Sequence, residues 1–195
     1  SIIFSAYFEN RDNPFDPRRG NLLRFTTKYA TRFNFLGPLG GGDEFFKWDA
    51  EYSHYFNFGN WFILAGSLRF GSIIPTNPER ERIPEKERFF LGGDNTIRGY
   101  ELNMVGPLEN NNPLGDNSKL LGNLELRIPL RIISNIWLAF FVDAGGLSSD
   151  ITDFFESKTY DVEEDNKIKY SVGSGIRYMT IIGPIRLDKI GRASC

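Results

Sequence analysis

The sequence carries one cysteine, Cys195, and one histidine, His54. A lone cysteine excludes a disulfide framework and any cysteine-based metal site. His54 has no cysteine or carboxylate at ligand spacing, so no metal centre is expected. No apolar run approaches the roughly 18 residues that a membrane-spanning helix needs. The formal net charge of −2 leaves no electrostatic basis for binding nucleic acid. Ser1-Ile2-Ile3 does not open a signal peptide, so the chain is expected to begin inside mature structure.

What is abundant is aromatic. With 18 Phe, 8 Tyr and 3 Trp, the aromatic share reaches 15%, yet the mean hydropathy is negative. Aromatic surface without a continuous apolar run implies strands with one greasy face and one wet face. A length of 195 residues suffices for one domain with a sizeable core.

Period-two alternation runs through the chain. Phe4, Ala6 and Phe8 oppose Ser5, Tyr7 and Glu9, and the Pro-, Asx- and Gly-rich stretch 11–20 reads as a turn. From Leu22 to Phe33, Leu23, Phe25, Thr27 and Tyr29 alternate with Arg24, Thr26, Lys28 and Ala30. Phe46, Trp48, Ala50, Tyr52 and Phe56 alternate with Lys47, Asp49, Glu51, Ser53 and Tyr55, and the segment 61–74 continues the pattern. Later, Leu124, Leu126 and Ile128 oppose Asn123, Glu125 and Arg127, while Phe140 and Val142 oppose Phe141 and Asp143. Tyr170, Val172, Ile176 and Tyr178 oppose Lys169, Ser171 and Arg177, and a turn at Gly183-Pro184 starts a last strand from Ile185 to about Ile190. The total is about eight strands without helical periodicity.

Short turns at 57–60, 129–135 and 181–184 interleave with long loops at 34–44, 75–118 and 148–167. Transmembrane barrels show this asymmetry. A soluble sandwich would share the alternation; loop asymmetry and aromatic load favour an all-β, antiparallel transmembrane barrel.

Enzymatic readings find little support. Asp49 and Glu51 share a face, but charges lining a wet lumen explain them. Gly40-Gly41-Gly42 lacks the Lys-Ser/Thr and the helix of a phosphate loop. Ser171 and Ser174 have no base in view. The acidic run Asp161 to Asp165 lacks the ordered spacing of a calcium loop. No catalytic residue, metal or cofactor is expected.

The most informative stretch lies inside the longest loop: Phe89-Phe90-Leu91-Gly92-Gly93-Asp94-Asn95-Thr96-Ile97-Arg98-Gly99-Tyr100, ending near Gly106-Pro107. Its apolar residues rule out a solvated linker, and the glycines indicate close-packed backbone. Arg98 between Ile97 and Gly99-Tyr100 reads as a guanidinium held by packing, which demands carboxylate partners.

Gly92-Gly93 with Ile97-Arg98-Gly99-Tyr100, followed by Met104 to Pro107, resembles the tip of the sixth extracellular loop in BamA-type outer-membrane assembly proteins. That family is the bacterial surface antigen superfamily, which also includes TamA and the two-partner secretion transporters. Aligned on the loop, the strands look like eight to fifteen of the family's sixteen-stranded barrel. The resemblance covers residues 1–190, the C-terminal part of the barrel domain, and leaves 191–195 as a non-family tail, an appended remnant or an out-of-frame end. The periplasmic POTRA domains, the first barrel half and the final strand are expected to be missing.

The resemblance implies a factor that inserts and folds β-barrel proteins in the bacterial outer membrane, without nucleotide or other cofactor. Expected partners are outer-membrane lipid, unfolded outer-membrane proteins and accessory assembly lipoproteins reached through the POTRA domains. It also implies that Arg98 pins the loop inside the barrel through Glu125 and Asp143, with Gly145 and Gly183 as structural glycines. TamA-like or two-partner polypeptide translocation is the alternative within the family. A passive porin or a soluble ligand-binding β-barrel is the alternative outside it.

Overall fold

The computed structural model describes residues 1–31, 44–76, 83–130, 135–155, 168–180 and 183–193. The glycine run 40–42 and the acidic run 161–165 lie outside them. Alternation at period two produces long strands: β1 (Ile2–Glu9), β2 (Gly20–Ala30), β3 (Phe45–Asn57) and β4 (Ile63–Pro75). A minimal hairpin of β5 (Leu108–Glu109) and β6 (Asn112–Pro113) interrupts the long connection. β7 (Ser118–Pro129), β8 (Ile136–Ser148), β9 (Lys169–Thr180) and β10 (Gly183–Ala193) follow. The long strands form one eight-stranded sheet in the order β1-β2-β3-β4-β7-β8-β9-β10, antiparallel throughout.

β2 is described as far as Ala30, and positions 32 and 33, to which the sequence reading carried it, lie outside the described residues. β10 runs on through Gly191 to Ala193, because backbone pairing with Val172, Ser171 and Tyr170 continues whatever the side chains are.

Register sorts the side chains. Leu124 pairs with Val142 and Leu126 with Phe140, so apolar residues stand side by side on one face. Phe25, Tyr29, Tyr52, Leu124, Phe140 and Tyr178 are exposed there. The opposite, concave face carries charge: Arg24 and Arg69 flank Glu51 from neighbouring strands, at 3.5 and 3.6 Å. Glu125, Asp143 and Arg177 on this face are buried. Water would not tolerate so broad an exposed apolar surface, whereas the acyl region of a bilayer requires it.

What buries the concave face is the long connection after β4. It folds back over the sheet and forms an apolar core of Ile83, Phe89, Leu91, Ile97 and Val105 against Phe45, Ile73, Leu121 and Leu147. The Phe89 ring lies between the ammonium groups of Lys47 and Lys119, 4.5 and 4.8 Å from its centre, where cation–π attraction holds it.

The sheet is open, since among the described residues β1 and β10 each have a neighbour on one side only. Lipid cannot satisfy such edges. We therefore expect this segment alone to give no stable monomer in detergent, a heat-modifiable monomeric band being the contrary result. In an intact barrel, cysteines replacing Phe25, Tyr29, Leu124, Phe140 or Tyr178 should resist a membrane-impermeant reagent. Cysteines at Arg24 and Lys28 should react, and those at Glu125, Asp143 and Arg177 should face the lumen, reacting as far as the loop admits reagent. The reverse pattern would mean a one-residue register error.

Candidate functional site

The loop tip is built from its base upward. Phe89 and Asp116 exchange two backbone hydrogen bonds of 2.8 and 3.0 Å, and Val105 donates to the Leu91 carbonyl at 3.0 Å. Inside this frame Gly93 donates to the Tyr100 carbonyl at 3.0 Å, and the Thr96 hydroxyl accepts from Gly92 N–H at 2.9 Å. Gly92 sits at φ +113°, where a Cβ would stand 2.3 Å from the Glu101 carbonyl oxygen. Gly93 and Gly99 also have positive φ, at 97° and 86°. These turns aim Ile97 into the core and Arg98 at the strands.

Ile97 is fully buried. It reaches Gly145 of β8, where a Cβ would lie 3.1 Å from Ile97 Cδ1. The Tyr100 hydroxyl donates to the Tyr170 carbonyl at 3.3 Å, tying the tip to β9. Gly183 stands apart from this cluster, at the start of β10 opposite Thr180.

Arg98 is 7% exposed and Asp143 wholly buried. Arg98 Nε and NH2 donate to the two Asp143 oxygens at 2.8 Å each, and the Arg98 backbone N–H adds a third bond at 3.1 Å. NH1 turns to the neighbouring strand and donates to Glu125 Oε2 at 2.7 Å. The guanidinium lies 3.5 Å over the Phe141 ring. Phe141 in turn fills the space left by Gly173 across the pair, where a Cβ would be 2.4 Å from the ring. Asn123 and Ser171 donate to Asp143 at 2.9 and 3.3 Å, and Asn123 also holds the Thr96 carbonyl at 2.7 Å.

Glu125 has further partners that the sequence reading did not assign to it. Arg127 Nε donates to Oε1 at 2.8 Å and Arg177 NH2 to Oε2 at 3.2 Å. Each of these arginines has a second acid: Asp188 for Arg177, and Asp16 for Arg127 at 3.3 Å. The available signal was parity, since Arg127 and Arg177 alternate with apolar residues on the same faces as Glu125 and Asp143. Asp16, on a turn, carried none.

Chemically, the cluster fixes position. Its carboxylates are occupied by guanidinium and amide donors, which leaves charge-assisted hydrogen bonding as its output. His54, on the other face, contacts the Tyr52 hydroxyl at 3.1 Å and lies tilted against the Phe56 ring, with centroids 4.0 Å apart. Among the described residues no three His, Cys, Asp or Glu side chains are grouped to hold a metal ion.

An antiparallel sheet with an apolar outer face, and a charged concave face covered by a returning loop, defines an outer-membrane β-barrel fold. The chain belongs to the Omp85 superfamily, whose domain description matches residues 1–189. It is 28% identical over 193 residues to the outer membrane protein assembly factor BamA of Neorickettsia risticii, covering 96% of this chain and 24% of that protein. Identity to BamA of Nitratidesulfovibrio vulgaris is 25% over 180 residues, covering 91% of this chain and 21% of that one. The sorting and assembly machinery component 50 homolog of Bos taurus is 29% identical over 130 residues, with coverage of 67% and 26%. The chain thus spans about a quarter of the length of these relatives. The crystal structure of BamA from Haemophilus ducreyi lacking POTRA domains 1–3 shares the fold, with a TM-score of 0.78 at 17% identity over 99% of this chain and 38% of that one. The family is non-enzymatic and resides in outer membranes.

Gly92→Ala should open the tip, because neither its φ nor the facing backbone can accommodate a methyl group. The strain is on the order of 1–3 kcal/mol. Proteolysis of the loop should accelerate while the barrel keeps its heat-modifiability; wild-type resistance would count against this account of the turn.

Proposed function

We propose that these strands are the C-terminal part of a larger barrel that inserts and folds β-barrel proteins in a bacterial outer membrane. In this reading residues 1–190 belong to the barrel domain and 191–195 form a tail outside it. Support for assembly comes from the names of the curated relatives, which are assembly factors on both the bacterial and the animal side. The BamA proteins cover 96% and 91% of the chain against 67% for the animal relative, which favours a bacterial membrane. Outer-membrane lipid and unfolded outer-membrane proteins are then the partners, with accessory lipoproteins reached through POTRA domains. No cofactor is required, because insertion exchanges one set of backbone and apolar contacts for another.

The observation that carries the reading is the Arg98 fork. It ties one loop to acids on two strands, and we assign it the role of holding the loop in the lumen. Planarity matters here: a guanidinium reaches both carboxylates at once, and a lysine ammonium cannot.

Arg98→Ala in the intact barrel should release the loop and lower assembly of substrate barrels, with strand topology preserved. Arg98→Lys should rescue poorly. Breaking a buried pair costs on the order of 3–5 kcal/mol, against less than about 1 for an exposed one. A double-mutant cycle between Arg98 and Asp143, read by protease protection of the loop, should therefore show strong coupling. Coupling within error of zero would falsify the role assigned to Arg98, and normal assembly in Arg98→Ala would remove it from the function.

A further inference from the structure

The turn between β1 and β2 does not extend away from the sheet. It bends across the concave side, at the end bearing the short connections, passes β3 and β4, and reaches β7 and β8. Pro17 is buried there, and its carbonyl accepts from Arg127 NH1 at 3.2 Å beside the Asp16 carboxylate at 3.3 Å. Arg18 lies over the Trp137 ring of β8, 5.1 Å from its centre. Within the turn, partial burial raises the Asp12 pKa, but the N–H groups of Asn13, Arg18 and Arg19 outweigh it and hold the carboxyl below its usual range. The turn therefore has its own scaffold, independent of the cluster it touches.

Two of the cavities on this side of the sheet bear on the series. One, of about 210 Å³, is walled by the turn; the other, of about 230 Å³, lies under the loop tip. Arg127 lines both. It is held from one side by Asp16 and from the other by Glu125, and Glu125 holds Arg98. The side chains of Asp16, Arg127 and Glu125 are each 15% exposed or less, so solvent screens the series weakly.

We propose that Asp16 is a positioning residue for the loop tip, acting through Arg127 and Glu125 on Arg98. Asp16 is the only acid of the turn that contacts Arg127 among the described residues. Without it, Arg127 has one carboxylate left and draws Glu125 toward itself, in competition with Arg98. The turn at one mouth of the barrel thereby sets how firmly the loop entering from the other mouth is held. The inference rests on the reading of Arg98 as the loop's anchor, but not on what the barrel assembles.

The test uses the intact barrel with Cys195→Ser and a label site at Val105→Cys, buried where the loop meets the sheet. Modification by a membrane-impermeant maleimide reports release of the tip. Asp16→Asn should raise the rate roughly tenfold, the scale of one lost hydrogen bond to a charged group. Arg127→Ala, which removes the competitor for Glu125, should leave the rate near wild type and cancel the effect of Asp16→Asn when the two are combined, and Asp16→Glu should keep most of the protection. Trp137→Leu, which removes the ring under Arg18 but none of the acids or arginines of the series, should leave the rate near wild type. In an Arg98→Ala background, Asp16→Asn should add nothing further. Heat-modifiability confirms folding, and Asp16→Ser serves if Asp16→Asn fails to fold. The inference is overturned by a wild-type rate in Asp16→Asn, by equal exposure in Asp16→Glu, or by effects that multiply independently in the double variant. Substrate assembly is scored separately: a released tip with normal assembly would sink the proposed function and leave this coupling standing.

Discussion

One carboxylate, Glu125, receives three guanidinium groups, those of Arg98, Arg127 and Arg177. A carboxylate buried between a sheet and a covering loop is costly unless several donors surround it. Three arginines around a single acid would reverse the problem and leave excess positive charge. The structure avoids this by giving each arginine a second acid: Asp143, Asp16 and Asp188. Loop tip, β1–β2 turn and strands β7 to β10 all contribute a member. Each element's place is therefore set by charges carried on the others.

The same register is enforced from the lipid side. Leu124 and Val142 face outward because Glu125 and Asp143 face inward, and a slip by one residue would exchange them. The slip would put carboxylates in acyl chains and leave the arginines unpaired. Bilayer and ion cluster thus select the same pairing, each by penalising the alternative. Small residues complete the arrangement where the loop or a ring lies against strand backbone. At Gly71 a Cβ would stand 2.9 Å from the Phe89 ring, and at Gly173 the same space is taken by Phe141.

Strand order and facing were legible in the sequence because period-two alternation is a local signal that survives in any sheet. Phe25 and Tyr29 could be assigned a side from their neighbours alone. Arg98 with Asp143 and Glu125 was legible from parity together with the family motif. Arg127 and Arg177 had the right parity, but parity does not say which acid an arginine meets across three strands. Asp16 was further out of reach, since a turn has no periodicity and its bend across β3 and β4 is a tertiary fact. The β10 end was also misjudged, because ladder pairing is a backbone property and ignores the polar character of Gly191-Arg192.

Location and orientation of the loop have different physical sources. Leu91, Ile97 and Val105 are buried against the sheet, and each such side chain contributes on the order of 1.5–3 kcal/mol. That suffices to draw the loop into the concave face, but apolar contact is non-directional and tolerates small slides. The bidentate contact with Asp143 does not, because both N–H vectors must meet both oxygens in one plane. Buried ion pairs add little net stability relative to apolar packing, and their contribution lies in specifying one geometry. In the role proposed for Arg98, the apolar seat brings the loop in and the charge cluster decides how it sits. A change at any acid of the cluster should then act on orientation before it acts on burial.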